Sequence, residues 1–180
     1  MLLTSIEYLL VFILSVNIIY LLIFSIASHC PPKNQKIIVH VLNRIVILIP
    51  AYKEDQVVME CVNSCLTQNY PKEQYDIVVI SDQMQDSTLL KLEALPLKLI
   101  KVFFKDSTKA KALNYAMAEI GDNYDIAIIL DADNVVDSEF LLHINTSMNQ
   151  KGVEIVQAHR TAKNQNTKLA ILDAVSEEIN

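Results

Sequence analysis

The sequence predicts an α/β protein, in which a mostly parallel sheet is flanked by helices and preceded by one transmembrane helix. Three observations support this fold class. Apolar runs of strand length alternate with segments of helical periodicity along the chain. The apolar runs are hydrophobic on both faces, as expected for strands buried between helices. The chain has 180 residues, 52% of them hydrophobic, which suits one domain with a real core.

The first element is an apolar segment without a charged residue, residues 8–28. Its length matches the roughly 20 residues that a helix needs to span a bilayer. A cleaved signal peptide would need a basic start, whereas the first charge here is Glu7. A lipoprotein signal ending at Cys30 is disfavoured because His29 stands where a small residue belongs, and a buried core helix is rarely apolar all round. We therefore predict a membrane anchor.

Basic residues follow this segment and none precede it. The positive-inside rule therefore predicts that the rest of the chain lies in the cytoplasm, on the evidence of Lys33, Lys36 and Arg44. We expect the anchor to cover residues 1–29, a linker with two prolines to cover 30–43, and one α/β domain to cover 44–180.

The strands are predicted from continuous apolar runs rich in β-branched residues. The first run ends at Pro50, which fits the end of a strand. The predicted strands cover residues 44–50, 75–82, 97–104, 124–131 and 153–159.

The helices are predicted from apolar spacing and from their end signals. Residues 54–68 have apolar positions at helical spacing and are followed by Pro71. A short helix over 89–95 ends at Pro96. Ser107 or Thr108 begins a helix that runs to Ile120, with Gly121 just beyond its end. A further helix separates the fourth and fifth strands.

The cysteines argue against a disulfide-stabilised protein, and the net charge argues against a nucleic-acid-binding protein. Cys61 and Cys65 are expected on one helix face as buried thiols rather than as metal ligands. With Cys30 they make an odd number without a disulfide framework, which indicates a reducing compartment. The net charge of −6 argues against nucleic acid as a partner.

Polar and acidic residues follow the predicted strands, at the edge where ligands bind in α/β sheets. Asp131 and Asp133 follow the fourth strand, and in an extended segment residues i and i+2 point the same way. Two carboxylates, together with phosphate oxygens and water, suit Mn²⁺ or Mg²⁺. The alternative is structural: Asp133 and Asn134 form a turn, or Asp137 and Ser138 cap the next helix.

A diphosphate at this edge would need a cation, since the chain has only 2 glycines and no Gly-rich phosphate loop. Lys109 and Lys111 lie at a predicted helix start, where backbone N–H groups also favour anions. The alternative for either lysine is a solvated helix face.

Four motifs in order resemble the nucleotide-binding half of family 2 glycosyltransferases of the GT-A fold, and most of all the membrane-anchored, processive-type synthases. The motifs are IPAYKED, VVISDQMQDST, TKAKALNYA and IILDADN. The similarity covers about residues 44–159. It implies an inverting, metal-dependent transfer from a nucleotide sugar, most simply a UDP-sugar, to a membrane-associated, lipid-linked or polysaccharide acceptor.

The resemblance also implies site residues. Tyr52 would lie against the base, Glu54 would contact the nucleoside and Asp82 would accept a hydrogen bond from uracil. Lys109 is the aligned lysine of the third motif. The remaining implied residues are Pro50 and Ala51 of the first motif, Asp131 and Asp133 for ribose and metal-diphosphate, and Gln157 in the QAHR segment for the donor sugar.

This chain departs from the family pattern at Lys53, Ser81 and Gln83, which replace an asparagine, an acid and a glycine. The general base of an inverting transfer is expected beyond Asn180, since Glu177 and Glu178 fit a solvated helix face. The chain therefore resembles the amino-terminal portion of a longer enzyme. Two other functions remain open: a sugar nucleotidyltransferase, and a non-catalytic, membrane-tethered module that binds nucleotide sugars.

Overall fold

The computed structural model describes residues 2–28, 41–150, 152–161 and 167. The chain divides into two compact units, one with the N-terminal helix and one with the sheet. Helix α1 is Leu2–Ser28, and its stretch Thr4–Ala27 is long and apolar enough to cross a membrane, by length and composition. These 24 residues extend about 36 Å at about 1.5 Å per residue, more than a hydrocarbon core of about 30 Å. Residues 30–40 of the predicted linker lie outside the described residues.

Four parallel strands form the sheet in the order β3-β2-β1-β4. They are β1 Ile45–Tyr52, β2 Tyr75–Asp82, β3 Lys98–Val102 and β4 Ile126–Ile129. The chain moves outward from β1 to β3 and then returns to the other side of β1 for β4. Ligands bind at such a reversal in open α/β sheets. The predicted fold class is confirmed.

Helices cover both faces of the sheet. They are α2 Val58–Leu66, α3 Asp86–Glu93, α4 Lys109–Ile120 and α5 Phe140–Met148. Alternate residues of β1 point to opposite faces, so Ile47 packs with α2, α3 and α5, whereas Leu48 packs with α4. Each such buried side chain contributes about 1.5–3 kcal/mol of stability. Burial on two sides therefore explains the continuous apolar runs of β1 and β2.

The predicted ends of helix α4 are confirmed. Thr108 has an extended backbone, and its side-chain oxygen accepts a hydrogen bond from the backbone N–H of Lys111 at 3.2 Å. Gly121 follows the last residue with a φ of 70°, a conformation that glycine adopts without steric cost. The strand predicted over 75–82 coincides with β2, and most other predicted elements begin or end a few residues away from the observed bounds. Helix α3 starts at Asp86 rather than at Leu89. The prediction missed its first turn because that turn is polar and lacks the apolar spacing of a helix.

The prediction of a fifth strand over residues 153–159 is wrong. The segment has no regular structure, and Ile155 is 89% exposed. Within the described residues β4 is the edge of the sheet, and no strand pairs with this segment. Its apolar residues include Val156, which packs against the core as a single anchor. An apolar run alone does not make a strand, because the backbone also needs hydrogen-bonding partners.

Candidate functional site

An open cavity of about 180 Å³ lies at the carboxyl edge of the sheet. Six of the predicted site residues line it: Pro50, Ala51, Tyr52, Glu54, Asp82 and Lys109. Four lining residues were not predicted as site residues: Ile80, Ser107, Thr108 and Ala112. The parallel register explains the convergence, because Tyr52 at the end of β1 stands opposite Asp82 at the end of β2.

Asp82 contributes a buried carboxylate to the cavity wall. The residue is 3% exposed, and its Oδ1 atom has no hydrogen-bond partner among the described residues. Its backbone carbonyl accepts a hydrogen bond from the Lys53 N–H at 3.1 Å, which fixes the strand end beside the first loop. A buried, unpaired acceptor costs free energy, so it marks a place where a ligand can donate a hydrogen bond.

Lys109 forms an ion pair with Asp131, whose Oδ1 accepts a hydrogen bond from Lys109 Nζ. Both side chains are about half exposed, so the pair contributes little to stability. It joins the start of α4 to the segment after β4, at the mouth of the cavity. The other lysine of the motif, Lys111, instead donates to the backbone carbonyl of Asp106 at 2.7 Å. Of the two lysines, only Lys109 lines the cavity.

The segment that carries Asp131 and Asp133 is a turn, so the expected extended geometry is wrong. The N–H of Asn134 donates to the carbonyl of Asp131 at 3.1 Å, and Asp133 is exposed. Strand β4 ends before the predicted residue 131, because the last hydrogen bond of its ladder joins the Leu130 N–H to the Leu48 carbonyl. Asp137 Oδ1 also accepts a hydrogen bond from the Glu139 N–H at 2.9 Å, just before α5. The structural alternative, a turn followed by a helix cap, is therefore observed, and the same segment still carries the two acidic side chains.

Helix α2 and Gln68, which lies just beyond its end, support this turn and the loop after it. The Cys61 thiol donates to the carbonyl of Asp131 at 3.6 Å, and Ser64 Oγ accepts a hydrogen bond from the Val136 N–H at 3.2 Å. The amide of Gln68 donates to the carbonyl of Asp137 at 2.8 Å and accepts from the Leu141 N–H at 3.1 Å. Gln68 is 4% exposed, so these bonds are shielded from water. The loop is thus held by side chains that lie far earlier in the sequence.

The two cysteines of α2 are buried on one face of the helix, as predicted. The hydrogen bond to Cys65 and burial raise the pKa of the Cys61 thiol, and the carboxylates of Asp133 and Asp131 add to this effect. Cys61 is therefore a neutral packing residue beneath the acidic turn. Among the described parts of the chain, no three His, Cys, Asp or Glu side chains are grouped to hold a metal ion.

Two loop residues beside the cavity have a left-handed backbone. Lys53 has a φ of 58° and Gln83 a φ of 54°. These are two positions at which the chain departs from the family pattern, where asparagine and glycine favour this conformation. The Lys53 ammonium lies 4.9 Å from the centre of the Tyr52 ring, which is 47% exposed. Tyr52 thus presents an aromatic surface at the cavity rim.

Gln157 does not join the other site residues. It is exposed in the irregular segment 153–160 and does not line the cavity. Its expected role with the donor sugar stays a prediction.

The comparison with family models identifies the chain. The model described as Glycosyl transferase family 2 matches residues 46–174, which is most of the chain. The chain belongs to glycosyl transferase family 2. The resemblance of the four motifs is thereby confirmed, and the cavity of this family 2 chain lies inside the matched range.

Several curated relatives are similar to this family 2 chain. A probable glycosyltransferase, YdaM, of Bacillus subtilis is 29% identical over 100 residues, which cover 52% of this chain and 23% of that protein. The poly(ribitol-phosphate) β-glucosyltransferase of Bacillus spizizenii is 29% identical over 108 residues, 55% of this chain and 16% of that protein. The chain thus spans less than a quarter of the length of these relatives.

Solved structures show the same fold. A mannosyltransferase from Pyrobaculum calidifontis, in complex with GDP-Man and Mn²⁺, aligns with a TM-score of 0.61 at 22% identity. The alignment covers 76% of this chain and 41% of that one. Residues 1–349 of Staphylococcus aureus TarS, in complex with UDP-GlcNAc, align with a TM-score of 0.51 at 20% identity, over 67% and 38% of the two chains. This family 2 chain therefore has a GT-A-like fold.

Proposed function

We propose that the cavity binds a nucleotide-diphosphate sugar, most simply a UDP-sugar, and that the chain serves inverting transfer of the sugar to an acceptor. The observation that carries the proposal is the buried Asp82 carboxylate, whose Oδ1 lacks a partner among the described residues. The imide N–H of uracil is a donor of the required kind, and Tyr52 offers its ring to the same base. The UDP-GlcNAc complex of the fold neighbour TarS supports this choice of donor.

The diphosphate is proposed to lie toward the start of α4. Lys109 supplies a positive charge there, and the first backbone N–H groups of a helix favour anions. Lys109 pairs with Asp131, so its ammonium is held at the mouth of the cavity. An incoming phosphate would share this lysine with Asp131, which positions the phosphates next to the acidic turn.

The residues fit a divalent cation. Asp131 and Asp133 offer carboxylate oxygens, the donor type that Mn²⁺ and Mg²⁺ prefer, and substrate phosphates with water complete the shell of such ions. The Mn²⁺ in the Pyrobaculum mannosyltransferase complex agrees with this donor set. When bound, the ion would neutralise the charge that develops on the departing diphosphate. The side chains of Asp131 and Asp133 would hold it, and Lys109 would balance their charge.

The acceptor is proposed to be a glycan or a lipid-linked sugar at a membrane. Helix α1 would anchor the chain, and the basic residues after it would keep the catalytic domain in the cytoplasm. The names of relatives, which include a poly(ribitol-phosphate) transferase, support an acceptor of this kind.

Calorimetry of the full chain with UDP, with and without Mn²⁺, tests the proposal. We expect Mn²⁺ to strengthen UDP binding and Asp133→Asn to remove that gain. The matched control is Asp122→Asn, an exposed acid outside the cavity, which should behave as the parent chain. UDP binding that does not respond to Mn²⁺ in the parent chain would contradict the metal site.

Release of UDP from several UDP-sugars separates transfer from binding alone. Turnover that requires Mn²⁺ supports the transferase, whereas tight binding without turnover favours the non-catalytic module. Formation of a sugar nucleotide from a sugar phosphate would instead identify a nucleotidyltransferase.

A further inference from the structure

Positive charge is concentrated in one segment of this acidic chain. Residues 91–111 contain six lysines and two acidic residues, a net charge of +4. The remaining residues contain nine basic and 19 acidic residues, a net charge of −10. The segment covers the end of α3, strand β3, the following loop and the first turn of α4. An anionic surface would therefore attract this part of the chain and repel the rest.

Two lysines of this segment, Lys98 and Lys101, lie on β3, which is an edge strand of the sheet within the described residues. Lys98 and Lys101 are exposed and extend to opposite faces: Lys98 Nζ donates to the Glu119 carbonyl of α4 at 3.3 Å, and Lys101 pairs with Glu93 of α3 at 2.5 Å. Lys105 is exposed in the loop that follows. We call Lys98, Lys101, Lys105 and Phe103 the basic edge.

Phe103 projects into solvent from the middle of the basic edge and is 81% exposed. Its neighbour Phe104 turns inward, where its ring meets Tyr115 edge to face at 6.5 Å. The Phe104 carbonyl accepts hydrogen bonds from Gln83 Nε2 and from Ser107 Oγ, both at 3.3 Å. The loop backbone is thus tied down while Phe103 is held outward.

We propose that the basic edge docks on an anionic lipid surface, with Phe103 inserted among the headgroups. The lysines supply the attraction to anionic lipids, and an aromatic side chain between them supplies apolar contact at the interface. This inference rests on the membrane anchor of the proposed function. The same loop continues into Ser107 and Thr108, which line the donor cavity. Docking would therefore bring the mouth of the cavity to the surface where a lipid-linked acceptor lies.

A single tryptophan tests the proposal, because the chain contains 0 tryptophans. The full-length Phe103→Trp chain is added to phosphatidylcholine vesicles with or without phosphatidylglycerol, both containing brominated lipid as a quencher. We expect tryptophan emission to move to shorter wavelength and to be quenched more in the anionic vesicles. About 1 M NaCl, where the Debye length is about 3 Å, should reverse the difference. Adding Lys101→Gln and Lys105→Gln to the Phe103→Trp chain should also remove the difference in quenching between anionic and neutral vesicles.

The matched reporter is Ile155→Trp, at a side chain that is 89% exposed but next to Glu154. It should show no preference for anionic vesicles. Equal quenching of both reporters, or quenching of the Phe103→Trp reporter that ignores lipid charge, would overturn the proposal. So would a response of the Phe103→Trp reporter to a soluble anionic polymer, such as a teichoic acid, without a response to anionic lipid. Flotation with the neutral vesicles tests the anchor separately, so failure of the anchor is distinguishable from failure of docking.

Discussion

Asp82→Asn should lower nucleoside affinity and raise the stability of the α/β unit at the same time. In the parent chain the carboxylate is 3% exposed, and Oδ1 lacks a partner among the described residues. An unsatisfied buried acceptor costs about 1–3 kcal/mol, and a charged one costs more. A neutral amide of the same shape is cheaper to bury, so we expect the free energy of unfolding to rise by about 1 kcal/mol.

The affinity of the Asp82→Asn variant for a nucleoside should fall. A hydrogen bond to a charged group contributes about 1.5–3 kcal/mol, and asparagine offers either a poorer acceptor or a misplaced donor. The expected loss is roughly tenfold to a hundredfold in the dissociation constant. Because Asp82 is proposed to contact the base, uridine and UDP should lose affinity by the same factor.

Urea denaturation and calorimetry measure the two effects. Ser81→Ala is the matched control, because Ser81 is also 3% exposed on β2 but its Oγ donates to the Ile100 carbonyl at 3.4 Å. It should reduce stability slightly and leave uridine affinity unchanged. If Asp82→Asn binds uridine as well as the parent chain does, Asp82 is not the base acceptor. If it lowers the free energy of unfolding, Oδ1 has a partner in solution.

Three further substitutions test other parts of the site and its support. Lys109→Met should weaken UDP about tenfold while uridine binding stays constant in calorimetry, since only the phosphates meet the lysine; an equal loss for uridine would contradict this. Gln68→Leu should lower the free energy of unfolding by about 2 kcal/mol because it leaves the buried Leu141 N–H unpaired and removes one of the two donors to the Asp137 carbonyl. Exposed Gln56→Leu should change it by less than about 0.5 kcal/mol, and similar urea midpoints for the two variants would refute the argument. Lys53→Asn should raise the midpoint of thermal unfolding, because asparagine tolerates a φ of 58° better than lysine does; a lower midpoint would mean that the lysine ammonium compensates for the strain.

The parts of the fold that the sequence predicts well are those with strong local signals. The apolar run within 75–82 predicts a strand and is observed as β2, Tyr75–Asp82, because the middle of a strand that is buried on both faces is apolar. Helix α4 is predictable from Thr108 and Gly121, which mark its two ends with backbone geometry of their own. The meeting of Tyr52 and Asp82 follows from the parallel sheet, which aligns the carboxyl ends of its strands.

The parts that could not be predicted depend on contacts distant in sequence. The segment 153–159 has the composition of a strand, but only the sheet decides whether a partner is available. Ser64 and Gln68 are ordinary polar residues in and after a helix until the loop that they bind is placed beside them. The turn at Asp133 replaces the expected extended segment because the hydrogen-bond ladder of β4 ends with the bond from the Leu130 N–H to the Leu48 carbonyl. Local periodicity carries no information on these pairings.

The support of the acidic turn by α2 has a consequence for motion. Opening of the segment from Asp131 to Leu141, which ends in the first turn of α5, would remove the hydrogen bonds of the buried Gln68 amide to the Asp137 carbonyl and the Leu141 N–H. Helix and loop therefore form one cooperative unit of local unfolding, and slow amide exchange should extend from α2 into the loop. Rigidity of this kind holds Asp131 in place before any substrate arrives. The entropy of ordering the loop is then lost during folding rather than during each binding event.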